Sequence, residues 1–342
     1  MIINSLYGLK PKEIAAKLNL SKKFQGTQIF EWLNRGVISF DEMSNLSKDL
    51  RSSLTEDDEI RIVSSKVIDK QEDETGAVKI ALKLLDGKVI ETVLLRDKEG
   101  LQTACLSSQV GCAMGCKFCR TGTMRLERNL ESFEIIEQFF HLVNLFGKID
   151  HIVFMGMGEP LANVDSLIVA LQYFHDPKGL NMSYRRITIS TCGLVPGLKK
   201  LQACGLPVKL AVSLVTADET IRSSLMPINR KYDLRQLKAA VIEWQHEFKR
   251  RVTFECCLIK GINTTEIDAR KLYFFCNNID VMLNLIPFNE AAELDFETPD
   301  EEELDQFCSY LDRYGLSYTR RFSRGRGVNG ACGQLAVKQE RD

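Results

Sequence analysis

Cys112, Cys116 and Cys119 stand in the run GCAMGCKFCRTG, so one short, glycine-flanked loop carries three thiols in a CxxxCxxC spacing. Three soft donors this close in sequence suit an iron–sulfur cluster or a zinc ion. A 4Fe–4S cluster normally takes four cysteines, and structural zinc is closed by four Cys or His ligands. No fourth cysteine is adjacent, so the triplet implies a coordination position left open for another molecule. An open metal position is a place for chemistry. The competing arrangement is a zinc loop completed by Cys105 or a distant residue, although zinc sites are more often built from CxxC pairs.

Other polar residues fall where they could serve the same site. Gly156-Met157-Gly158-Glu159-Pro160 offers glycines that let backbone approach a small ligand. Ser190, Ser213 and Asn289 each end an apolar run, where a hydroxyl or amide can meet a ligand or merely cap a turn. Near the C-terminus, Arg320, Arg321, Arg324 and Arg326 cluster with Tyr318 and Phe322 interleaved, and Gly325 and Gly327 supply flexibility. Arginine forks suit phosphate and aromatic faces stack on bases, so this segment reads as an RNA-facing strand and loop.

The elements that must position these groups alternate from about residue 101 onward. Strand-like runs LQTACLSS, HIVFMG, RITIST, VKLAVSL, VTFECCLI, VMLNLI and LSYTRRF are separated by helical stretches. One of these, SFEIIEQFFHLVNLF, has Ser132 as its expected N-cap and places Ile135, Ile136, Phe139, Phe140 and Val143 on a core face. Repeated β-α units imply a parallel sheet with right-handed crossovers. The units are too few for a full eight-stranded barrel, which predicts an α/β fold with a partial (β/α)6 barrel. Ligands of such sheets sit beyond the C-terminal strand ends, where the motifs fall.

Residues 1–95 read differently. Helical stretches PKEIAAKL, TQIFEWLNRG and FDEMSNLSKDLRSSL come first, with Ile14, Leu18, Ile29, Trp32 and Leu33 at helical spacing. Strand-like runs EIRIVSSKVI, AVKIALKLL and KVIETVLL follow, the last two joined by the hairpin signal Asp86-Gly87. An accessory region over 1–95, helical and then β and in contact with RNA, is expected to precede a catalytic domain over 96–342.

Composition sets bounds on partners. The net charge of −1, from 45 Lys plus Arg against 46 Asp plus Glu, means that any nucleic-acid contact must be local. No apolar run approaches the roughly 18 residues of a membrane span, and the N-terminus lacks the pattern of a secretory signal. A cytoplasmic protein is expected. The 11 cysteines then argue for a reducing compartment rather than a disulfide scaffold. Cys204, Cys256, Cys257, Cys276 and Cys308 lie in apolar periodic segments and read as buried core thiols.

The cysteine spacing and its flanks resemble the radical S-adenosylmethionine (SAM) enzymes. More specifically, CLSSQVGCAMGCKFCRTG, FMGMGEPLAN, SLMPINRKY, NLIPFN and GACGQL together resemble the radical SAM RNA adenine C2 methyltransferases, from the N-terminal helices to the end of the chain. The resemblance implies a 4Fe–4S cluster on Cys112, Cys116 and Cys119 whose fourth iron binds the amino and carboxylate groups of SAM. It implies methylation of an adenine in 23S rRNA near the peptidyl-transferase centre and, in many bacteria, of the adenine beside the tRNA anticodon.

It also implies roles for residues that are unremarkable when read alone. Cys332 would receive a methyl group from a first SAM. A deoxyadenosyl radical from a second SAM would abstract hydrogen from that methyl group, and the methylene radical would add to the base. Cys105 would resolve the adduct through a transient disulfide with Cys332, with Glu91 as proton acceptor. SAM contacts would be Gly158, Glu159, Ser190, the stretch Ser213, Leu214 and Val215, and Asn289. A flavodoxin or ferredoxin would supply electrons to a monomeric enzyme. The C2–H of adenine is neither acidic nor nucleophilic, which is why a radical supplied by a cofactor is needed.

The chain departs from the family pattern at Val215, usually histidine, and at Arg120, usually alanine. It departs also at Cys192, a small residue in the family, and at Gly327, commonly acidic. Two other readings compete: the relatives that methylate C8 of the same adenine and confer antibiotic resistance, and a non-catalytic RNA-binding protein holding zinc or a vestigial cluster. GMGEP and IPFN resemble the C2 group more closely.

Overall fold

A computed structural model describes residues 5–291, 293–321 and 324–336; Phe322 of the arginine-rich segment lies outside them. The helical region comprises α1 (Pro11–Lys17), α2 (Lys23–Leu33) and α3 (Lys48–Thr55). The single helix expected over 40–54 is broken: a 3-10 turn at Phe40–Glu42 ends before α3, because Ser39 caps the turn and Ser47 caps α3. This region is not a separate core. Tyr7 stacks on Phe140 at 4.6 Å and Phe30 meets Tyr173 edge-on at 5.6 Å.

Strands β1 (Lys66–Glu72), β2 (Val78–Lys83), β3 (Val89–Arg96) and β4 (Gln102–Cys105) pair in antiparallel succession, with Asp86-Gly87 in the β2–β3 turn. The strand expected over 59–68 starts late. The backbone N–H groups of Ser64 and Ser65 donate to the buried Glu137 carboxylate at 2.8 and 2.9 Å, so they are spent on a side chain rather than on a ladder.

After β4 come the short pair β5 (Gln109–Val110) and β6 (Arg128–Asn129), with α4 (Arg120–Thr123) between them. Parallel strands then alternate with helices: α5 (Ser132–Phe146), β7 (His151–Phe154), α6 (Val164–His175), β8 (Ile187–Thr191), α7 (Val195–Ala203) and β9 (Lys209–Ser213). The series continues with α8 (Glu219–Leu225), α9 (Leu234–Phe248), β10 (Val252–Leu258), α10 (Glu266–Cys276), β11 (Val281–Pro287), α11 (Glu301–Arg313) and β12 (Tyr318–Arg320).

All the longer strands form one open sheet in the order β1-β2-β3-β4-β7-β8-β9-β10-β11-β12, parallel from β4 to β12. The crossovers run through α5, α6, α7, α8 with α9, α10 and α11, as a partial (β/α)6 barrel requires. Burial on both faces explains the near-continuous apolar strands. Phe154, Ile189, Val212, Phe254 and Leu285 from the strands join Phe139, Leu171, Trp244, Leu272 and Phe307 from the helices in one core.

Two local expectations are corrected. Ser132 is the first helical residue of α5 rather than its N-cap; Glu131 caps, and its N–H donates to the Glu134 carboxylate at 2.9 Å. Cys204 is exposed, because it sits at the C-cap of α7 where the chain turns outward, whereas Cys256 and Cys276 are buried as expected. No helix among the described residues is long and apolar enough to cross a membrane.

Candidate active site

One large cavity opens at the C-terminal ends of the parallel strands, its empty volume of about 990 Å³ including the open solvent at its mouth. Cys112, Cys116 and Cys119 line one side of it. Gly158, Glu159, Ser190, Ser213, Val215 and Asn289 line the strand ends, and Cys332 closes the mouth. Leu214 does not reach the cavity; it is fully buried, and its carbonyl accepts from Arg222 Nε at 3.0 Å.

The cysteine loop is seated by local chemistry. Gly111 has φ +77°, and a Cβ there would stand 2.1 Å from the Arg125 carbonyl, so only glycine fits. Lys117 N–H donates to Leu225 O at 2.9 Å, and Met114 and Phe118 pack on an apolar group that includes Val215, Met226 and Phe288. Burial pushes all three thiols up, Cys112 to about 12, and each is raised further by a neighbouring cysteine of the set or by Cys332. Among the described residues no three His, Cys, Asp or Glu side chains are already gathered for a metal ion. The donor set is nevertheless that of an iron–sulfur cluster: three thiols on one loop, close enough to perturb one another's ionisation, beside a cavity for a further ligand.

Opposite the loop, the strand ends are braced by the polar residues of the motifs. Ser107 Oγ donates to Glu91 O at 2.6 Å and accepts from Met157 N at 2.8 Å, which staples the end of β4 to the GMGEP turn. Asn163 donates to Ser108 O and Leu130 O at 2.9 and 2.7 Å. Gly158 has φ +96°, and a Cβ there would lie 2.5 Å from Gln109 Cβ, so this glycine answers to close packing within the protein as well as to any ligand. The buried Glu159 carboxylate accepts from Leu161 N at 3.0 Å and Cys192 N at 2.8 Å, and burial raises its pKa above the ordinary value.

Several cavity residues were not singled out by sequence reasoning. Glu255, central in β10, lines the floor and accepts from Ser190 Oγ at 2.7 Å. A carboxylate inside the apolar run VTFECCLI was the available signal, since such residues are buried only with a partner. Cys257, read as a core thiol, also lines the cavity: it follows Glu255 by two and therefore shares its strand face. Arg222 is fully buried and donates to Leu214 O, Asn229 Oδ1 and Cys192 O at 3.0, 2.6 and 2.8 Å, bracing the ends of β8 and β9. Asn229 belongs to SLMPINRKY, so that motif acts here as a strut.

The departures acquire definite places. Val215 has φ +65°, a left-handed conformation that is strained for a β-branched residue. It is held there by its N–H to Glu255 O at 3.0 Å and by Asn263 Nδ2 donating to its carbonyl at 2.9 Å. Cys192 lines the cavity beside Glu159. A Cβ on Gly327 would stand 3.1 Å from Asp73 Cβ, so little room remains for an acidic side chain. Arg120 reaches across to the C-terminal arm, donating from its side chain to Gln334 O at 3.1 Å and pairing with Glu293 at 2.9 Å.

That arm carries Cys332. Asn289 Nδ2 donates to Cys332 O at 3.0 Å while its Oδ1 accepts from Arg326 Nε at 2.8 Å. Arg120 N donates to Gly333 O, Thr121 Oγ1 to Leu335 O and Gln334 Nε2 to Glu290 O, at 2.8, 2.6 and 2.9 Å. Cys332 also borders a second, smaller cavity shared with Cys105, Leu95, Val153, Met155, Arg321 and Arg324. The two thiols therefore border one small space, and Cys332, with Met155, lines both cavities.

Glu91 lines neither. It is buried on β3, 2.9 Å from Lys79 Nζ, and its Oε2 is buried without a hydrogen-bond partner among the described residues. Strand alternation puts Glu91 on the same face as Val93 and Leu95, and Val93 is the cross-strand neighbour of Cys105. The arginine segment divides between interior and surface: Arg321 and Arg324 border the thiol cavity, Arg320 pairs with the exposed carboxylates of Glu301 and Asp305, and Arg326 holds Asn289 while itself remaining exposed. Alternation along β12 gives the adjacent Arg320 and Arg321 different partners.

Comparison with known proteins agrees with this architecture. Residues 106–272 match the radical SAM superfamily, and residues 6–60 match a ribosomal RNA large subunit methyltransferase N-terminal domain. A probable dual-specificity RNA methyltransferase RlmN of Treponema denticola is 46% identical, covering 97% of this chain and 95% of the relative. Its counterpart in Treponema pallidum is 41% identical over 97% of both chains. The crystal structure of a radical SAM methyltransferase from Sphaerobacter thermophilus superposes with a TM-score of 0.91 at 36% identity, covering 97% of this chain and 98% of that one.

Proposed function

The chain belongs to the dual-specificity RNA methyltransferase RlmN family, and from that premise we propose that it methylates C2 of an adenine in 23S rRNA and of the adenine beside the tRNA anticodon. Cys332 is the methyl carrier and Cys105 the resolving thiol. The observation that carries this reading is the position of Cys332, bordering the large cavity on one side and the Cys105 cavity on the other.

Cys112, Cys116 and Cys119 would hold a 4Fe–4S cluster, and the surfaces of Gly158, Glu159, Ser190, Ser213, Val215 and Asn289 would receive SAM. When bound, this pair supplies the methyl group and the one-electron chemistry that an unreactive C–H bond needs. The protein's own residues then carry and release the carbon. Cys332 sulfur bonds to the methyl group and, after that carbon has joined the base, remains linked to it. Cys105 sulfur bonds to Cys332 sulfur as the sulfur–carbon bond breaks. The electron pair passes to the methylene carbon, which takes a proton to become methyl. Glu91, one oxygen committed to Lys79 and the other without a hydrogen-bond partner among the described residues, is suited to accept the proton leaving the ring.

RNA contact falls to the helical region as well as the cavity mouth. Exposed Phe24 with Lys22 over its ring, and Arg35 over Trp32, offer the cation and aromatic surfaces that bases and phosphates favour. Electrons come from a flavodoxin or ferredoxin, and the enzyme acts as a monomer.

Nucleoside mass spectrometry of 23S rRNA and tRNA from cells with and without the gene tests the reading. Loss of 2-methyladenosine from both RNAs is expected. Finding only 8-methyladenosine would overturn the assigned position, and loss from rRNA alone would remove tRNA as a substrate.

A further inference from the structure

Cys105 is a poor nucleophile by its surroundings. It is 7% exposed, in a small cavity whose apolar lining is Leu95, Val153, Met155, Ala331 and Leu335 and whose polar lining is Cys332, Arg321 and Arg324. Burial, and then the neighbouring Cys332, push its pKa up to about 12. Thiols in such surroundings are ordinarily inert, because the thiolate is the reactive form.

One cation in this cavity opposes that effect. Arg321 follows the last residue of β12, and its N–H donates to Leu285 O at 2.9 Å, which extends the ladder and fixes its direction. Alternation sends the two adjacent arginines to opposite sides. Arg320 faces Glu301 and Asp305, whereas Arg321 lines the cavity of Cys105 and Cys332. Among the described residues no carboxylate lies within ion-pair distance of Arg321. The charged and titratable groups around the thiol are Arg321, Arg324, Cys332 and, from β10, Glu255. The arginine is in turn held protonated most strongly by Cys332, then by Glu255 and Cys105.

We propose that Arg321 is the positioning residue of the thiol pair, its guanidinium stabilising the Cys105 thiolate so that this buried sulfur can attack Cys332. The inference rests on the reading that these two cysteines are the working thiols, but it is measured on the thiol alone.

The test is the rate at which iodoacetamide labels Cys105 in the anaerobic, cluster-loaded protein, followed by peptide mass spectrometry across neutral to mildly alkaline pH. Exposed Cys204 serves as internal standard. Arg321→Gln should slow Cys105 labelling by about tenfold or more, the equivalent of at least one unit of thiolate stabilisation, and Arg321→Lys should stay within about threefold of the parent. Arg321→Met is a second neutral variant if glutamine disturbs the sheet edge. Neutral variants that label as fast as the parent, or a lysine variant as slow as glutamine, would overturn the inference. No RNA is involved, so such a result leaves the methylation reading to its own nucleoside test.

Discussion

The two walls of the large cavity are built by different means. On the strand side, the buried polar groups are held by the sheet or by a buried partner: Glu159 by two backbone amides, Ser190 by Glu255, and the ends of β8 and β9 by Arg222. The arm that brings Cys332 has no place in the ladder. It buries Val328, Ala331 and Leu335, and its polar contacts run chiefly through its own carbonyls, accepting from Asn289, Arg120 and Thr121, each bond worth about 0.5–1.5 kcal/mol net. Groups that serve one resident cofactor can be fixed for good. On the mechanism proposed above, the Cys332 sulfur addresses a methyl donor, a base and a second thiol in turn, which calls for tethers that can be released singly, and the hydrogen bonds of the arm are of that kind.

The contrast is broken most severely by removing one thiol from each wall. Cys119→Ala should abolish both iron loading and RNA methylation, because two thiols cannot hold the cluster. Cys332→Ala should abolish methylation while iron content stays at the parent level. Iron analysis beside a methylation assay reads both, and loss of iron from the Cys332 variant would show that the arm helps build the cluster site. Next in size is the strut on the strand side. Arg222→Met leaves the carbonyls of Leu214 and Cys192 and the amide oxygen of Asn229 buried without their donor. A loss of about 3 kcal/mol or more in urea unfolding is expected. A near-neutral result would mean the strand ends need no brace.

The same contrast explains what could be read from the sequence. The parallel sheet and the cluster loop were legible because apolar runs such as HIVFMG and VKLAVSL and a spaced cysteine triplet are local signals. The α5 face was legible for the same reason: Ile135, Ile136, Phe139 and Phe140 recur at helical spacing and are buried. Residues whose meaning depends on contacts distant in sequence were not. Arg222 reads as a surface arginine on a short helix until its four acceptors are seen, one of them 30 positions away. Ser64 and Ser65 read as strand until Glu137, 73 and 72 positions on, takes their amides. The arginines before Cys332 read as one face because charge density says nothing of direction; Arg321 and Arg324 border the thiol cavity, whereas Arg326 is exposed. Cys105 and Cys332 acquired roles only through family resemblance, and the cavity they share is invisible to any local pattern.

The smallest effect is the most discriminating, because it acts on the arm alone. Arg120 follows Cys119 directly, yet its side chain is committed to Gln334 O and Glu293. Glu293 is 54% exposed, so that ion pair contributes little, and the carbonyl bond accounts for most of the worth of the contact. Arg120→Ala should therefore weaken the docking of the arm by about 1 kcal/mol, roughly a fivefold rise in its undocked population. The backbone bond from Arg120 N to Gly333 O is retained, so the cluster loop keeps its shape. Limited proteolysis between residues 325 and 335 should quicken by that factor, with iron content, SAM binding and global unfolding unchanged. If SAM affinity falls in step with proteolysis, the two walls are one mechanical unit, and the separation between a fixed cofactor side and a releasable arm fails.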